Sequence, residues 1–166
     1  MVVTHLLLND PSVDTILIPP CFQQTGKRLS EFWHRYAMCR MQFEHLPRVV
    51  ISSIEARLGG ESLTVRLVQE LVRENPDAKL RFVMGADLLD SAPHWEGWEE
   101  ITRLAPPLVI GRAGISPRGP GDPTPISPIV SSTIVKQALS KGDYHEAERY
   151  LSVPVCRYIQ ANQLYL

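Results

Sequence analysis

Residues 79–90 read KLRFVMGADLLD, and the next eleven, residues 91–101, read SAPHWEGWEEI. The first stretch contains a short apolar run from Phe82 to Met84 that ends on a glycine and gives way to an acidic residue. This pattern predicts a buried parallel strand that runs into a turn. Ligands of open parallel sheets bind at the carboxyl ends of the strands. The turn after this strand is therefore the first candidate binding site.

Two residues of this turn are suited to binding a nucleotide. Gly85 would let a ligand approach the backbone closely, and Asp87 offers two acceptor oxygens to a ribose. The alternative for Asp87 is the N-cap of a following helix, which the local pattern alone favours.

The composition limits the class of protein. The chain has 166 residues, of which 44% are hydrophobic and 21% charged, which predicts one domain over residues 1–166. A net charge of -1 without a run of lysine or arginine argues against binding to nucleic acid or a membrane surface. No apolar run approaches the roughly 18 residues of a membrane span. Three widely spaced cysteines and no leader pattern favour a cytoplasmic protein.

Hydrophobic periodicity predicts strands that alternate with helices. The predicted strands cover residues 13–18, 49–53, 82–84 and 108–110. The predicted helices cover residues 1–8 (the end of a helix), 30–46 with Ser30 as the cap, the segment between residues 60 and 75, residues 95–104, 131–139 and 146–150, and a last helix after Pro154. Residues 111–128 are rich in Gly and Pro and predict an irregular loop. The order of these strands and helices along the chain predicts an α/β protein, with a Rossmann-like parallel sheet sandwiched by helices and a helical C-terminal tail.

Five segments, taken together, resemble the nicotinate mononucleotide adenylyltransferases, a family of nucleotidyltransferases whose signature is an H-x-G-H motif. The segments are HRYAM at residues 34–38, GESLTV at 60–65, GAD at 85–87, PHWEGWEEI at 93–101 and VSSTIVK at 130–136. Their order and spacing are more specific than any one of them. The resemblance covers nearly the whole chain.

The resemblance implies an enzyme that transfers an adenylyl group from ATP to nicotinate mononucleotide and releases pyrophosphate, a step of NAD biosynthesis. Mg²⁺ would accompany the triphosphate, and the resemblance assigns no protein residue to a metal. The implied partners are these two small molecules, with neither nucleic acid nor membrane, and a homo-oligomer is left open.

The resemblance also implies roles for individual residues. Lys136, Ser131 and Thr133 would be catalytic, because hydroxyls, helix N-terminal amides and an ammonium group can neutralise phosphate charge. The implied ATP-binding residues are Gly85, Asp87, Ser131, Ser132, Thr133 and Lys136. The implied mononucleotide-binding residues are Thr64, Trp95, Arg35 and Lys27, with Trp95 stacked on the pyridine ring.

Several positions depart from the family pattern or have a structural alternative. Lys136 stands where the family usually has arginine, which keeps the charge and loses the planar fork. Leu63 and Arg66 replace a tyrosine and an aspartate near the pyridine pocket, which leaves the preference for acid or amide open. The residues from 131 to 133 could be an ordinary helix cap, Trp95 a core aromatic, and Lys27 a solvated surface charge.

The H-x-G-H motif, whose two histidines bind ATP phosphates in the family, is absent from the sequence. Residues 1–7 resemble the helix that follows this motif. We expect a chain that is N-terminally incomplete relative to the family, either a shortened version of a longer protein, which we favour, or a divergent relative. Two classes of function follow: an adenylyltransferase whose activity as given is in doubt, and a catalytically inactive relative that binds nucleotide or a protein partner.

Overall fold

The computed structural model describes residue 3 and residues 10–112, 126–127 and 132–165. The predicted helix end over residues 1–8 lies outside this part of the chain, apart from residue 3. The described strands are β1 (Ile16–Ile18), β2 (Val49–Ile51), β3 (Phe82–Gly85), β4 (Pro107–Arg112) and β5 (Ile126–Ser127). The described α-helices are α1 (Phe32–Phe43), α2 (Ile54–Leu58), α3 (Thr64–Glu74), α4 (Trp98–Leu104), α5 (Ser132–Ser140), α6 (Tyr144–Ala147) and α7 (Val153–Ala161).

The chain divides into two compact units, one formed by residues 10–60 and 130–166 and the other by residues 1–9 and 61–129. The first unit contains a β-α-β element in which β1 pairs in parallel with β2 and Ile16 lies opposite Val49. Helix α1 connects the two strands. Parallel strands require such a crossover, since a tight turn can join only antiparallel ones.

The C-terminal helices of this unit surround an apolar cluster. Its buried members are Ala138, Leu139, Ala147, Val155, Cys156 and Ile159. Two polar contacts tie helix α1 to this region: the Nδ1 atom of His34 lies 2.8 Å from the hydroxyl of Tyr158, and the backbone N–H of Ser152 donates to Oε1 of Gln42 at 3.0 Å. Pro154 lies in the first turn of α7, where a missing N–H costs no hydrogen bond, as predicted.

The second unit contains a three-stranded parallel sheet in the order β3-β4-β5. Phe82 lies opposite Pro107 and Gly85 opposite Ile110, so β3 and β4 end at the same edge of the sheet. Met84 and Ile110 are buried. Helix α3 is amphipathic as predicted, because Val65 and Val68 are buried while Arg73 is exposed.

Helices α3 and α4 approach closely at Gly97. Its φ of 68° lies in the left-handed region, and a Cβ at this position would lie 2.6 Å from Cγ2 of Val65. Both the backbone and the packing therefore require glycine. The prediction of a helix over residues 95–104 is wrong at its start, since this conformation confines the helix to Trp98–Leu104.

Two other predictions need correction, and one helix was not predicted. Ser30 does not cap α1, because the N-cap is Glu31 and the Ser30 hydroxyl bonds Tyr165 instead. The predicted irregular loop over residues 111–128 includes the end of β4 and all of β5, whose Ile126 pairs with Gly111. Helix α2 was not predicted, because five residues are too few to show helical periodicity.

The described helix surfaces contain short-range ion pairs, which stabilise exposed helices only slightly. The pairs are Arg40–Glu44, Arg73–Glu70, Arg103–Glu100 and Arg149–Glu146. Within the described ranges, no helix is both long and apolar enough for a bilayer crossing.

We predict that Gly97→Ala lowers the free energy of unfolding by about 2–4 kcal/mol, because it combines a left-handed alanine with a steric collision. Gly142→Ala is the matched control. Gly142 has a φ of 71°, and a Cβ at this position would have no neighbouring atom within 4 Å, so it tests the backbone cost alone. Urea unfolding of both variants provides the measurement. Equal losses would contradict the close packing against Val65.

Candidate functional site

The predicted site residues fall into two groups, one in each compact unit. Thr64, Gly85, Asp87 and Trp95 belong to the unit of residues 61–129. The other group lies in the unit of residues 10–60 and 130–166 and contains Lys27, Arg35, Ser132, Thr133 and Lys136. Ser131 lies outside the described residues.

Gly85 and Asp87 form a compact turn at the carboxyl end of β3. Asp87 lies in a short 3-10 helix, Ala86–Leu88, and is exposed. A Cβ at position 85 would collide with Oδ1 of Asp87, so the carboxylate lies over the glycine backbone. Gly85 has a φ of -76°, which any residue can adopt. A side chain at position 85 would displace the carboxylate, while the backbone conformation itself does not require glycine.

Trp95 is half-buried beside the same strand. Its ring lies edge-to-face with Phe82, with centroids 6.0 Å apart, and edge-to-face with Trp98, with centroids 5.9 Å apart. These contacts fix the plane of the indole, as favourable aromatic geometry does. Trp95 thus combines both interpretations given above, since it packs in an aromatic cluster and keeps part of its surface exposed.

Thr64 is the first residue of helix α3 and is half-buried. The preceding residue, Leu63, is the N-cap and makes no side-chain cap bond. Arg66 donates from Nη1 to the backbone carbonyl of Glu61 at 3.1 Å, which orders the segment before the helix. The helix start therefore has a hydroxyl and backbone N–H groups near one another, which suits polar groups of a ligand.

The other unit has an open cavity of ≈ 700 Å³ along helix α5. Thr133, Lys136, Gln137 and Ser140 line one side, and their spacing places them on one face of the helix. The opposite side is formed by residues 28–31 and by Tyr165. The lining contains hydroxyls, the Lys136 ammonium, the Arg28 guanidinium and one carboxylate, that of Glu31. Its cationic groups thus outnumber its anionic one, which suits an anionic ligand.

Lys136 is exposed, and its Nζ lies 5.5 Å from the ring centroid of Tyr165. This distance is typical of a cation–π contact. The Tyr165 hydroxyl in turn lies 2.8 Å from Oγ of Ser30. Three residues that are distant in sequence thus meet in the lining of the cavity.

Arg35 is used mainly to hold the loop that precedes α1. Its Nε donates to the carbonyl of Ser30 at 2.9 Å, its Nη2 donates to that of Phe22 at 3.0 Å, and its Nη1 donates to that of Cys21. Binding of a phosphate would have to compete with these bonds, so the geometry favours a structural role. The predicted contact of Arg35 with the mononucleotide stays a prediction. Lys27 is exposed in a turn of the same loop, and its role also stays a prediction.

Sequence reasoning missed Arg28 and Tyr165 as cavity residues and assigned Ser30 a different role. Arg28 is adjacent to Lys27, so a basic pair in a loop was the available signal. Nothing in the sequence pattern indicates Tyr165, which reaches the cavity only because the chain turns back after α7. Gln163 and Tyr165 have φ values of 51° and 64°, which are uncommon for residues other than glycine.

The thiols and acidic groups offer no second chemistry among the described residues. Burial raises the pKa of the Cys39 thiol, against a smaller opposing effect of Arg35. Burial also raises the pKa of Cys156. A raised pKa lowers the thiolate fraction and so the nucleophilicity. Among the residues that the structure describes, no group of three His, Cys, Asp or Glu side chains could hold a metal.

Comparison with solved structures identifies the class of fold. The chain is similar to the Plasmodium falciparum nicotinic acid mononucleotide adenylyltransferase complexed with NaAD, with a TM-score of 0.81 over 99% of this chain and 88% of that one, at 19% identity. Parallel strands and helices are thus arranged as in an adenylyltransferase, and the α/β prediction is confirmed. No family profile matches the chain.

Sequence relatives identify the family. The chain is 32% identical over 172 aligned residues to the probable nicotinate-nucleotide adenylyltransferase of Anaeromyxobacter dehalogenans, an alignment that covers 98% of this chain and 89% of the relative. It is 32% identical over 133 residues to that of Myxococcus xanthus, covering 79% and 69%. The chain belongs to the nicotinate-nucleotide adenylyltransferase family.

We predict that Arg35→Lys lowers the free energy of unfolding by about 1–3 kcal/mol, because an ammonium cannot satisfy three separate carbonyls. Arg40→Lys on the same helix is the control, since Arg40 is exposed and pairs only over one helical turn with Glu44. Chemical unfolding and limited proteolysis of residues 21–30 would measure the effect. A stability equal to that of the parent, with weakened mononucleotide binding, would instead support the phosphate role.

Proposed function

We propose that this protein transfers the adenylyl group of ATP to nicotinate mononucleotide, giving nicotinate adenine dinucleotide and pyrophosphate. The observation that carries the proposal is the likeness to family members over 98% of the chain. We also propose that the chain forms one nucleotidyltransferase-like domain, a Rossmann-like sheet sandwiched by helices with a helical tail, and that the protein is cytoplasmic.

The reaction is an in-line displacement at the α-phosphorus of ATP. An oxygen of the mononucleotide phosphate forms the new bond to phosphorus, and the bond to the β-phosphate oxygen breaks, so that pyrophosphate leaves with the electron pair. No covalent enzyme intermediate is required. The protein contributes mainly by positioning the two substrates and by neutralising phosphate charge.

Each compact unit contains site residues whose chemistry suits a part of the substrates. In the unit of residues 61–129, Asp87 would accept hydrogen bonds from the adenosine ribose, and Gly85 would contribute to the nucleotide site by leaving room for the Asp87 carboxylate. Trp95 would stack on the pyridine ring with its plane fixed by Phe82 and Trp98, and the Thr64 hydroxyl would contact the pyridine end. Partial exposure of Trp95 supports this assignment.

In the other unit, the cavity along α5 would hold phosphate groups. Thr133 lies in the first turn of the helix and Lys136 one turn further, so a hydroxyl and an ammonium face the same space. The hydroxyls of Ser131 and Ser132 would join them at the helix start. Mg²⁺ would arrive as part of the MgATP substrate, bound mainly by the phosphates of the nucleotide.

A second candidate is binding of nucleotide without turnover. It is favoured by one observation: the sequence has five histidines, and no two of them lie three residues apart as the family motif requires. Loss of donors aimed at the transferring phosphate lowers turnover far more than binding. The two candidates therefore differ in catalysis and agree on the nucleotide site.

Turnover is tested by incubating the protein with ATP, nicotinate mononucleotide and Mg²⁺ and measuring pyrophosphate and the dinucleotide together. We expect both products in equal amounts, and a loss of about a hundredfold to a thousandfold in Lys136→Gln if its charge acts on the transition state. Lys141→Gln, at an exposed position beyond the end of α5, is the control. Absence of both products would overturn the proposal and leave the binding candidate.

Asp87→Ala tests the adenosine site without requiring turnover. We expect the affinity for ATP to fall about tenfold to hundredfold, the range that corresponds to charged hydrogen bonds of about 1.5–3 kcal/mol. Asp90→Ala is the matched control, since Asp90 is an exposed carboxylate three residues further along. Calorimetric titration of both variants with ATP gives the comparison. Unchanged affinity in Asp87→Ala would show that the ribose is held elsewhere.

A further inference from the structure

We propose that Tyr165 is a positioning residue that holds the Lys136 ammonium at the cavity along α5, where it meets the phosphates of the nucleotide. This inference rests on the proposed function for the identity of the ligand. The contact itself rests on the structure. Neither the family motifs nor the relatives' descriptions assign a role to Tyr165.

The side chain of Tyr165 is held from two directions. Its ring packs against the apolar cluster of the C-terminal helices, which includes Leu139 and Ile159. Its hydroxyl shares a hydrogen bond of 2.8 Å with Ser30, a residue 135 positions away. The backbone N–H of Leu164 donates to the carbonyl of Ile159 at 3.0 Å, which anchors the turn before the tyrosine.

The backbone on which the Tyr165 ring stands has an uncommon conformation. Gln163 and Tyr165 both have left-handed backbone conformations, with φ values of 51° and 64°. Residues other than glycine rarely adopt a left-handed backbone conformation, and such conformations persist only where surrounding contacts hold them. Here the contacts at the turn are the packing of the ring, the hydroxyl bond to Ser30 and the backbone hydrogen bond from Leu164 to Ile159.

A fixed ring restricts the position of the Lys136 ammonium, whose side chain is otherwise long, flexible and exposed. A lysine ammonium lacks the planar fork of an arginine and is not oriented by its own geometry. The Tyr165 ring lines the same cavity and lies 5.5 Å from Nζ, where the negative face of an aromatic ring attracts a cation. Tyr165 therefore restricts where the ammonium lies, which lowers the ordering cost when a phosphate binds.

A ring that attracts Lys136 would have the opposite effect, weaker phosphate binding, if it held the ammonium away from the phosphates. The position of both side chains on the wall of the cavity favours presentation. The test separates the two: removal of the ring weakens polyphosphate binding if Tyr165 presents the ammonium, and strengthens it if Tyr165 withholds it.

The probe is inorganic tripolyphosphate, titrated calorimetrically into the parent protein and into Tyr165→Leu, Lys136→Gln and the double variant. We expect Tyr165→Leu to weaken binding about two- to tenfold, the ordering cost of one long side chain. The double variant should bind no more weakly than Lys136→Gln alone, because the tyrosine acts through the lysine. Tyr165→Phe, which keeps the ring, should bind more tightly than Tyr165→Leu.

A second measurement reports the contact without any ligand. In the parent, ring current should shift the ε-methylene signals of Lys136 away from those of other exposed lysines, and Tyr165→Leu should abolish this shift. Tyr150→Leu is the matched control, because Tyr150 also lies against a cation, Arg149 at 5.9 Å, and does not line the cavity. It should leave both the Lys136 signals and tripolyphosphate binding unchanged.

Three outcomes would each overturn the inference. The losses of affinity could be additive in the double variant, Tyr165→Leu could bind tripolyphosphate more tightly than the parent, or the Lys136 signals could fail to shift in Tyr165→Leu. None of these outcomes depends on turnover. If the protein releases no pyrophosphate but the tyrosine and lysine remain coupled in tripolyphosphate binding, the adenylyl-transfer proposal fails and the positioning role stands.

Discussion

The parallel pairing of β3 with β4 is the constraint on which the unit of residues 61–129 depends. Parallel pairing brings the carboxyl ends of both strands to one edge, and the turn that carries Asp87 follows directly from that edge. The segment between the strands must then cross back over the sheet. It does so through Trp95 and helix α4, which the close approach of Gly97 to Val65 holds against α3.

The unit of residues 10–60 and 130–166 uses its basic side chains in two ways. Arg35 donates to three backbone carbonyls, and its planar guanidinium suits this task because its donors diverge in fixed directions. Lys136 lies at the cavity with its ammonium against an aromatic ring. The family resemblance predicted a role at phosphate for both residues. The contacts distinguish the two residues, since Arg35 holds a loop and Lys136 faces an open cavity.

Family membership and chemical competence are separate questions for this protein. Likeness over 98% of the chain establishes the family, because so long an alignment at 32% identity fixes the order of the segments. Catalysis depends instead on a few donors aimed at the transferring phosphate, and the histidine motif that supplies them in the family is absent from the sequence. Likeness over the chain therefore does not by itself establish turnover, which has to be measured.

The sequence by itself determined the alternation of strands and helices, the amphipathic face of α3 and the family segments, because each of these depends on residues near one another in the chain. Only the tertiary structure decided the start of α4, the pairing of β5 and the contact of Ser30 with Tyr165. These features depend on what a distant segment places beside the residue: Val65 beside Gly97, Gly111 beside Ile126, and a left-handed turn that returns Tyr165 to the cavity. Local pattern carries no information about such neighbours, since the same residues are compatible with several surroundings.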